Sequence, residues 1–169
     1  MKKIYEYSFV VLSLLFVLSI LFGKFMYGDF VFMGGDSLAP QAVKQAINNV
    51  KNHTGYFPYW FPFIFSGMPT VHSLLNINDY YYPHLIINYL YKLGMPWFWN
   101  FIFHYLFAGL GMYNFLRYLK QSKFSSIFAT ILFSISPYMI AYLVHGHGSQ
   151  MMTAAYIPWV MLFLFKIHK

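Results

Sequence analysis

The stretch SFVVLSLLFVLSILF, residues 8–22, carries no charge and follows Met1, Lys2 and Lys3. A basic start before an apolar run fits both a secretory signal and a first membrane helix, and the residues after it separate the two. Gly23, Lys24 and Phe25 come next, which is not a small-x-small cleavage site. Residues 8–23 therefore read as a retained anchor with Lys2 and Lys3 in the cytoplasm, and the chain emerges outside at Lys24.

Composition agrees with a lipid environment. Hydrophobic residues make up 59% of the chain, charged residues 9% and aromatic residues 24%, with a mean hydropathy of +0.51. A water-facing surface needs more charge than that. The net charge of +7 comes from eleven basic and four acidic residues. The basic residues are scattered and assemble no basic stripe, so nucleic acid is not an expected partner. With no cysteine, a disulfide framework, a thiolate metal site and a thiol nucleophile are excluded.

Three more apolar blocks follow. Residues 96–119 open with Pro96 and close with Arg117 nearby; residues 125–144 hold Pro137, where a kink or break is expected; residues 150–166 are short and hold Pro158. The expected fold is an all-α membrane protein of about four transmembrane helices. Lys2, Lys3, Arg117, Lys120, Lys123, Lys166 and Lys169 then share the inner side, as the positive-inside rule requires of short segments. The chain is therefore expected to cross its membrane several times, with both ends inside.

Residues 24–95 form a large extracytoplasmic first loop, too long to be structureless. Between Gln41 and Lys51, Ala42, Val43, Ala46, Ile47 and Val50 take one helical face while Lys44, Gln45, Asn48 and Lys51 take the other. This describes an amphipathic helix, lying on the membrane surface or packed on the bundle. From Tyr56 to Phe65, Pro58 and Pro62 forbid a regular helix, and the aromatics around Trp60 suit a headgroup zone or a groove for a lipid tail. A second short apolar helix is expected from His84 to Leu93, closed by Gly94.

Few residues can carry chemistry. Of the four acids, Asp29, Asp36 and Asp79 fall on the outer side. Asp36 follows Gly34 and Gly35, a flexible backbone that can present a carboxylate to a ligand or a divalent cation; capping the next helix explains it equally. His145 and His147 flank Gly146 on an outer turn. Such a pair can ligate a metal, donate to a phosphate or simply stand in a polar turn, and a metal needs a third ligand. No zinc-protease motif, phosphate loop, dinucleotide fingerprint or nucleophile elbow occurs.

The order of Gly35-Asp36-Ser37, of Trp60-Phe61-Pro62-Phe63-Ile64-Phe65-Ser66-Gly67-Met68-Pro69, of Tyr82-Pro83, and of Leu110-Gly111-Met112-Tyr113-Asn114-Phe115-Leu116-Arg117 resembles the N-terminal region of the bacterial YfhO family. The stretch from Ser136-Pro137 through His145-Gly146-His147-Gly148 to Pro158 fits it too. The resemblance implies a multi-pass protein of the bacterial inner (cytoplasmic) membrane, a GT-C-like glycosyltransferase that moves sugars from polyprenyl-phosphate carriers to acceptors outside the cell. By that likeness Asp36 would be the catalytic acid residue, acting as base on the acceptor hydroxyl or organising a metal or phosphate site. His145, His147, Trp60 and Asp79 would be substrate-binding candidates. Family members are much longer, so this chain is expected to be the N-terminal part of a larger protein, incomplete as an enzyme. The alternative is a non-catalytic membrane module that binds a lipid or a partner subunit through its loop aromatics.

Overall fold

The computed structural model describes residues 2–28, 30–32, 35–70 and 81–168, and of residues 2 and 35–40 the backbone alone. Eight helices and one hairpin are described: α1 (Lys2–Tyr27), α2 (Gly35–Thr54), β1 (Trp60–Phe61), β2 (Met68–Pro69), α3 (Tyr82–Lys92), α4 (Trp99–Tyr118), α5 (Lys123–Ser134), α6 (Pro137–Val144), α7 (Gly148–Ala154) and α8 (Ile157–Ile167).

Prolines set two of the breaks. Pro137 has no N–H to donate and its ring crowds the preceding turn, so α5 ends at Ser134 and α6 starts afresh with proline in its first turn. Pro158 sits in the same place in α8, just after α7 stops. Each pair still continues in one direction as a single broken rod.

Contacts at the two ends fix how the rods run. The Trp99 indole N–H donates to the Met26 carbonyl at 2.9 Å, which joins the start of α4 to the end of α1. Gly148, at the start of α7, lies against the Phe101 ring. At the other end, the Glu6 carboxylate accepts from the Tyr113 hydroxyl and pairs with Lys123 and, at 3.6 Å, with Arg117. The Tyr118 hydroxyl donates to the Phe165 carbonyl there at 3.0 Å. Hence α1 and the α5–α6 rod run one way, and α4 and the α7–α8 rod run the other.

Helix α4 is the centre of this bundle, packed against α1, α5, α7 and α8. Its approach to α5 is close because Ser126, Thr130 and Ser134, one turn apart, are fully buried on α5. A Cβ at Gly109 would collide with Leu14 and crowd Ser134 and Thr130. Small residues on facing helices are how bundles without a water-driven core gain contact.

Outward, the rods are apolar. On α1 the buried residues Val10, Leu14, Leu18, Phe22 and Met26 form one stripe at four-residue spacing, while Leu12, Phe16 and Ile20 point away from the protein. Among the described residues, three helical segments are long and apolar enough to cross a membrane: Lys3–Tyr27, Lys123–Val144 and Gly148–Ile167. Helix α4 has the length for it at 20 residues but is not among the three, because Asn100, His104, Asn114 and Arg117 dilute its apolar character. Of these four, Asn100 and His104 are shielded by neighbouring helices, while Asn114 and Arg117 are partly exposed.

The loop after α1 begins on the bundle, with Phe32 stacked on Phe25 and tilted against Phe98. The expected amphipathic segment forms as α2, longer than its periodic core, with Ile47 buried and Lys44, Gln45, Asn48 and Lys51 exposed. The proline-rich aromatic stretch adds a small antiparallel hairpin to the helical fold, pairing Trp60 with Pro69 and Phe61 with Met68. Its turn carries positive φ at Phe65, Ser66 and Gly67. At Gly67 a Cβ would meet the Trp60 indole at 2.6–2.7 Å, so only glycine closes this turn under that ring.

Candidate functional site

Besides the Glu6 cluster at the other end, a group of polar side chains gathers where α3 and α4 meet, at the Met26 end of the bundle. Asn100 and His104 lie one turn apart on α4 and share a face. His84 comes from the first turn of α3, Tyr81 from the residue that caps it, and Tyr156 from the junction of α7 and α8. His84 and His104 are each 4% exposed and Asn100 1%.

One chain of hydrogen bonds has a direction. His104 Nδ1 lies 2.7 Å from the Asn100 carbonyl oxygen, which can only accept, so Nδ1 carries the proton. Neutral His104 then offers a lone pair at Nε2, and the Tyr81 hydroxyl donates to it at 2.8 Å. Having given its proton, Tyr81 accepts from the Tyr156 hydroxyl at 2.5 Å. The Tyr81 ring also stacks on His104 and meets His84 edge-on. Burial, and then the bond to Tyr156, push the Tyr81 phenol above its ordinary range.

The second half of the site is not satisfied. Asn100 Nδ2 reaches His84 Nε2 at a long 3.4 Å and the Met152 sulfur at 3.6 Å, while Asn100 Oδ1 and His84 Nδ1 are buried with no hydrogen-bond partner among the described residues. With Nδ2 donating to Nε2, His84 Nδ1 is left as a donor and Asn100 Oδ1 as an acceptor. Reversing the carboxamide exchanges those roles and still leaves one of each. Buried polar atoms are nearly always paired, and leaving one unpaired costs about 1–3 kcal/mol. A hydroxyl group or a water, which donates and accepts at once, is the complementary partner. Burial also holds the His84 imidazole below its ordinary value near 6.5, so it is neutral at physiological pH.

The residues expected from sequence lie as follows. Asp36 is in the first turn of α2, with its side chain outside the described ones; Asp79 lies outside the described residues. His145 closes α6 and is exposed, and His147 precedes α7, half-buried and edge-on to Tyr142. Trp60 is 56% exposed on the hairpin. Among the described residues no three metal-ligating side chains cluster.

Sequence reasoning did not assemble the Tyr81, His84, Asn100, His104 and Tyr156 group. A usable signal was present, since Asn100 and His104 stand one turn apart in an otherwise apolar block. Nothing in periodicity, however, links them to Tyr81 or Tyr156. No family model, curated protein or solved structure matches the chain.

Proposed function

We propose that the chain crosses the bacterial cytoplasmic membrane four times, with α1, α4, the α5–α6 rod and the α7–α8 rod as spans and the N-terminus inside. Its outer, Met26 end holds a saccharide carried on polyprenyl phosphate, as in the N-terminal region of a YfhO-like, GT-C-type glycosyltransferase. The observation that carries this proposal is the buried pair of atoms on His84 and Asn100 that are unpaired among the described residues, which matches a ligand rich in hydroxyls. The ordered motifs from Gly35-Asp36-Ser37 to Pro158 support it from the sequence side. Asp36 then acts as general base on the acceptor hydroxyl or organises the phosphate, with His145 and His147 donating to the carrier phosphate.

The test is transfer of radiolabelled sugar from a polyprenyl-phosphate donor by membranes carrying the chain in its native product. Asp36→Asn abolishes transfer and leaves the amount of membrane-inserted protein unchanged. Undiminished glycan product refutes the assignment. Repeating the assay in EDTA decides whether a divalent cation takes part.

A second reading, a non-catalytic module that binds a partner subunit or lipid, is favoured by the exposure of Tyr59, Trp60, Phe63 and Phe65 around the hairpin. Under it Asp36→Asn is silent, and Trp60→Ala with Phe63→Ala loses the partner in a crosslinking assay.

A further inference from the structure

Two helices of the same loop are dressed in opposite ways. Helix α2 buries Ile47 and turns Lys44, Gln45, Asn48 and Lys51 outward, the pattern of a helix that meets water. Helix α3 does the reverse. Its inward face carries His84, Ile87 and the half-buried Asn88, and its outward face carries Tyr82, Leu85, Ile86, Tyr89 and Leu93. No charge lies on that outward face, and Lys92 stands at the helix end, where a long side chain can reach the interface.

We propose that α3 is embedded in the membrane leaflet at the Met26 end, its outward face against lipid acyl chains, so that it forms the lipid-side wall of the Tyr81–His84–Asn100–His104 site. Acyl chains are the occupant because this face continues a surface of the same kind. Tyr81, the residue before α3, is bonded to Tyr156, and the next residue of α8 opens the exposed apolar series Ile157, Val160 and Leu164. Length limits the depth. Eleven residues make a helix of about 16 Å, roughly half of a hydrocarbon core of about 30 Å. It therefore enters one leaflet and does not cross. Gly94, with φ of +96°, turns the chain, and α4 begins five residues later. The inference rests on the membrane reading of the bundle and not on sugar transfer.

The experiment uses the unaltered full chain in phosphatidylcholine–phosphatidylglycerol vesicles containing a phospholipid with a diazirine in its acyl chain, with adducts mapped by mass spectrometry after illumination. Adducts are expected on α1 and on the peptide Tyr82–Leu93, and not on the peptide Lys44–Lys51. Labelling of α1 without labelling of Tyr82–Leu93 overturns the inference and spares the membrane reading; failure to label α1 overturns both. Spin labels give a second measurement free of background thiols, because the chain has no cysteine. A label at Ile86→Cys is expected to collide with oxygen more than with a nickel chelate, as at Leu12→Cys. Behaviour like that of Lys44→Cys overturns the proposal.

Discussion

Replacing each buried histidine of the site by phenylalanine is expected to move stability in opposite directions. At position 104 both ring nitrogens are well bonded, at 2.7 Å and 2.8 Å. His104→Phe removes two hydrogen bonds worth about 1 kcal/mol each and leaves the Tyr81 proton without an acceptor, a loss of about 2 kcal/mol. At position 84 the ring has one long bond of 3.4 Å and an Nδ1 with no partner among the described residues. His84→Phe gives up little and removes an unpaired atom that costs about 1–3 kcal/mol, for a net gain of about 1 kcal/mol. The two variants thus differ by about 3 kcal/mol, roughly a hundredfold in the folding equilibrium. Both exchange one planar ring for another, so packing changes and the lipid-solvated reference state largely cancel in the comparison. The assay is reversible unfolding in mixed micelles by SDS titration. Equal losses at both positions, or a larger loss at 84, would refute the hydrogen-bond assignment at these two rings.

Two further outcomes follow from the same geometry. Because burial lowers the His84 value, its neutral form contributes stability that is full above the unfolded value near 6.5 and is lost as the pH falls through the lowered folded value. Unfolding midpoints of the unaltered chain should drop more between pH 7.5 and pH 5 than those of His84→Phe, and parallel slopes would contradict the burial argument. Gly111→Ala places a Cβ 2.6 Å from the Trp159 indole nitrogen, which donates to the Phe107 carbonyl. The collision and the strained bond should cost about 1–3 kcal/mol, read by the same titration and by a shift in tryptophan fluorescence; an unchanged midpoint rejects the close α4–α8 contact.

Some of this architecture is legible in the sequence because it is local. Lys2 and Lys3 before an uncharged run, Pro137 inside one apolar block and Pro158 inside another, and the split faces of Gln41 to Lys51 are statements about neighbours in the chain. The polar site is of another kind. Tyr81 meets His104 and Tyr156 across separations of 23 and 75 residues, and a composition that is apolar almost throughout gives no periodic signal for such a meeting. The reversed dress of α3 was hidden for a similar reason. Alternating polar and apolar faces are visible from residues 82–93, but which face turns inward depends on α4, whose Asn100 gives His84 a partner. The hairpin depends on a contact too, since Gly67 reads as a plain turn residue until the Trp60 ring is placed over it.

In the four-span reading, the two ends of the bundle lie on opposite sides of a membrane. Single cysteines at Asn52, Lys120 and His145, introduced into a chain that has none, report this directly through a membrane-impermeant maleimide applied to intact spheroplasts. Asn52→Cys and His145→Cys are expected to react from outside, and Lys120→Cys only after permeabilisation. Reaction of Lys120→Cys in intact cells, or silence of His145→Cys until the membrane is opened, would contradict the four-span arrangement.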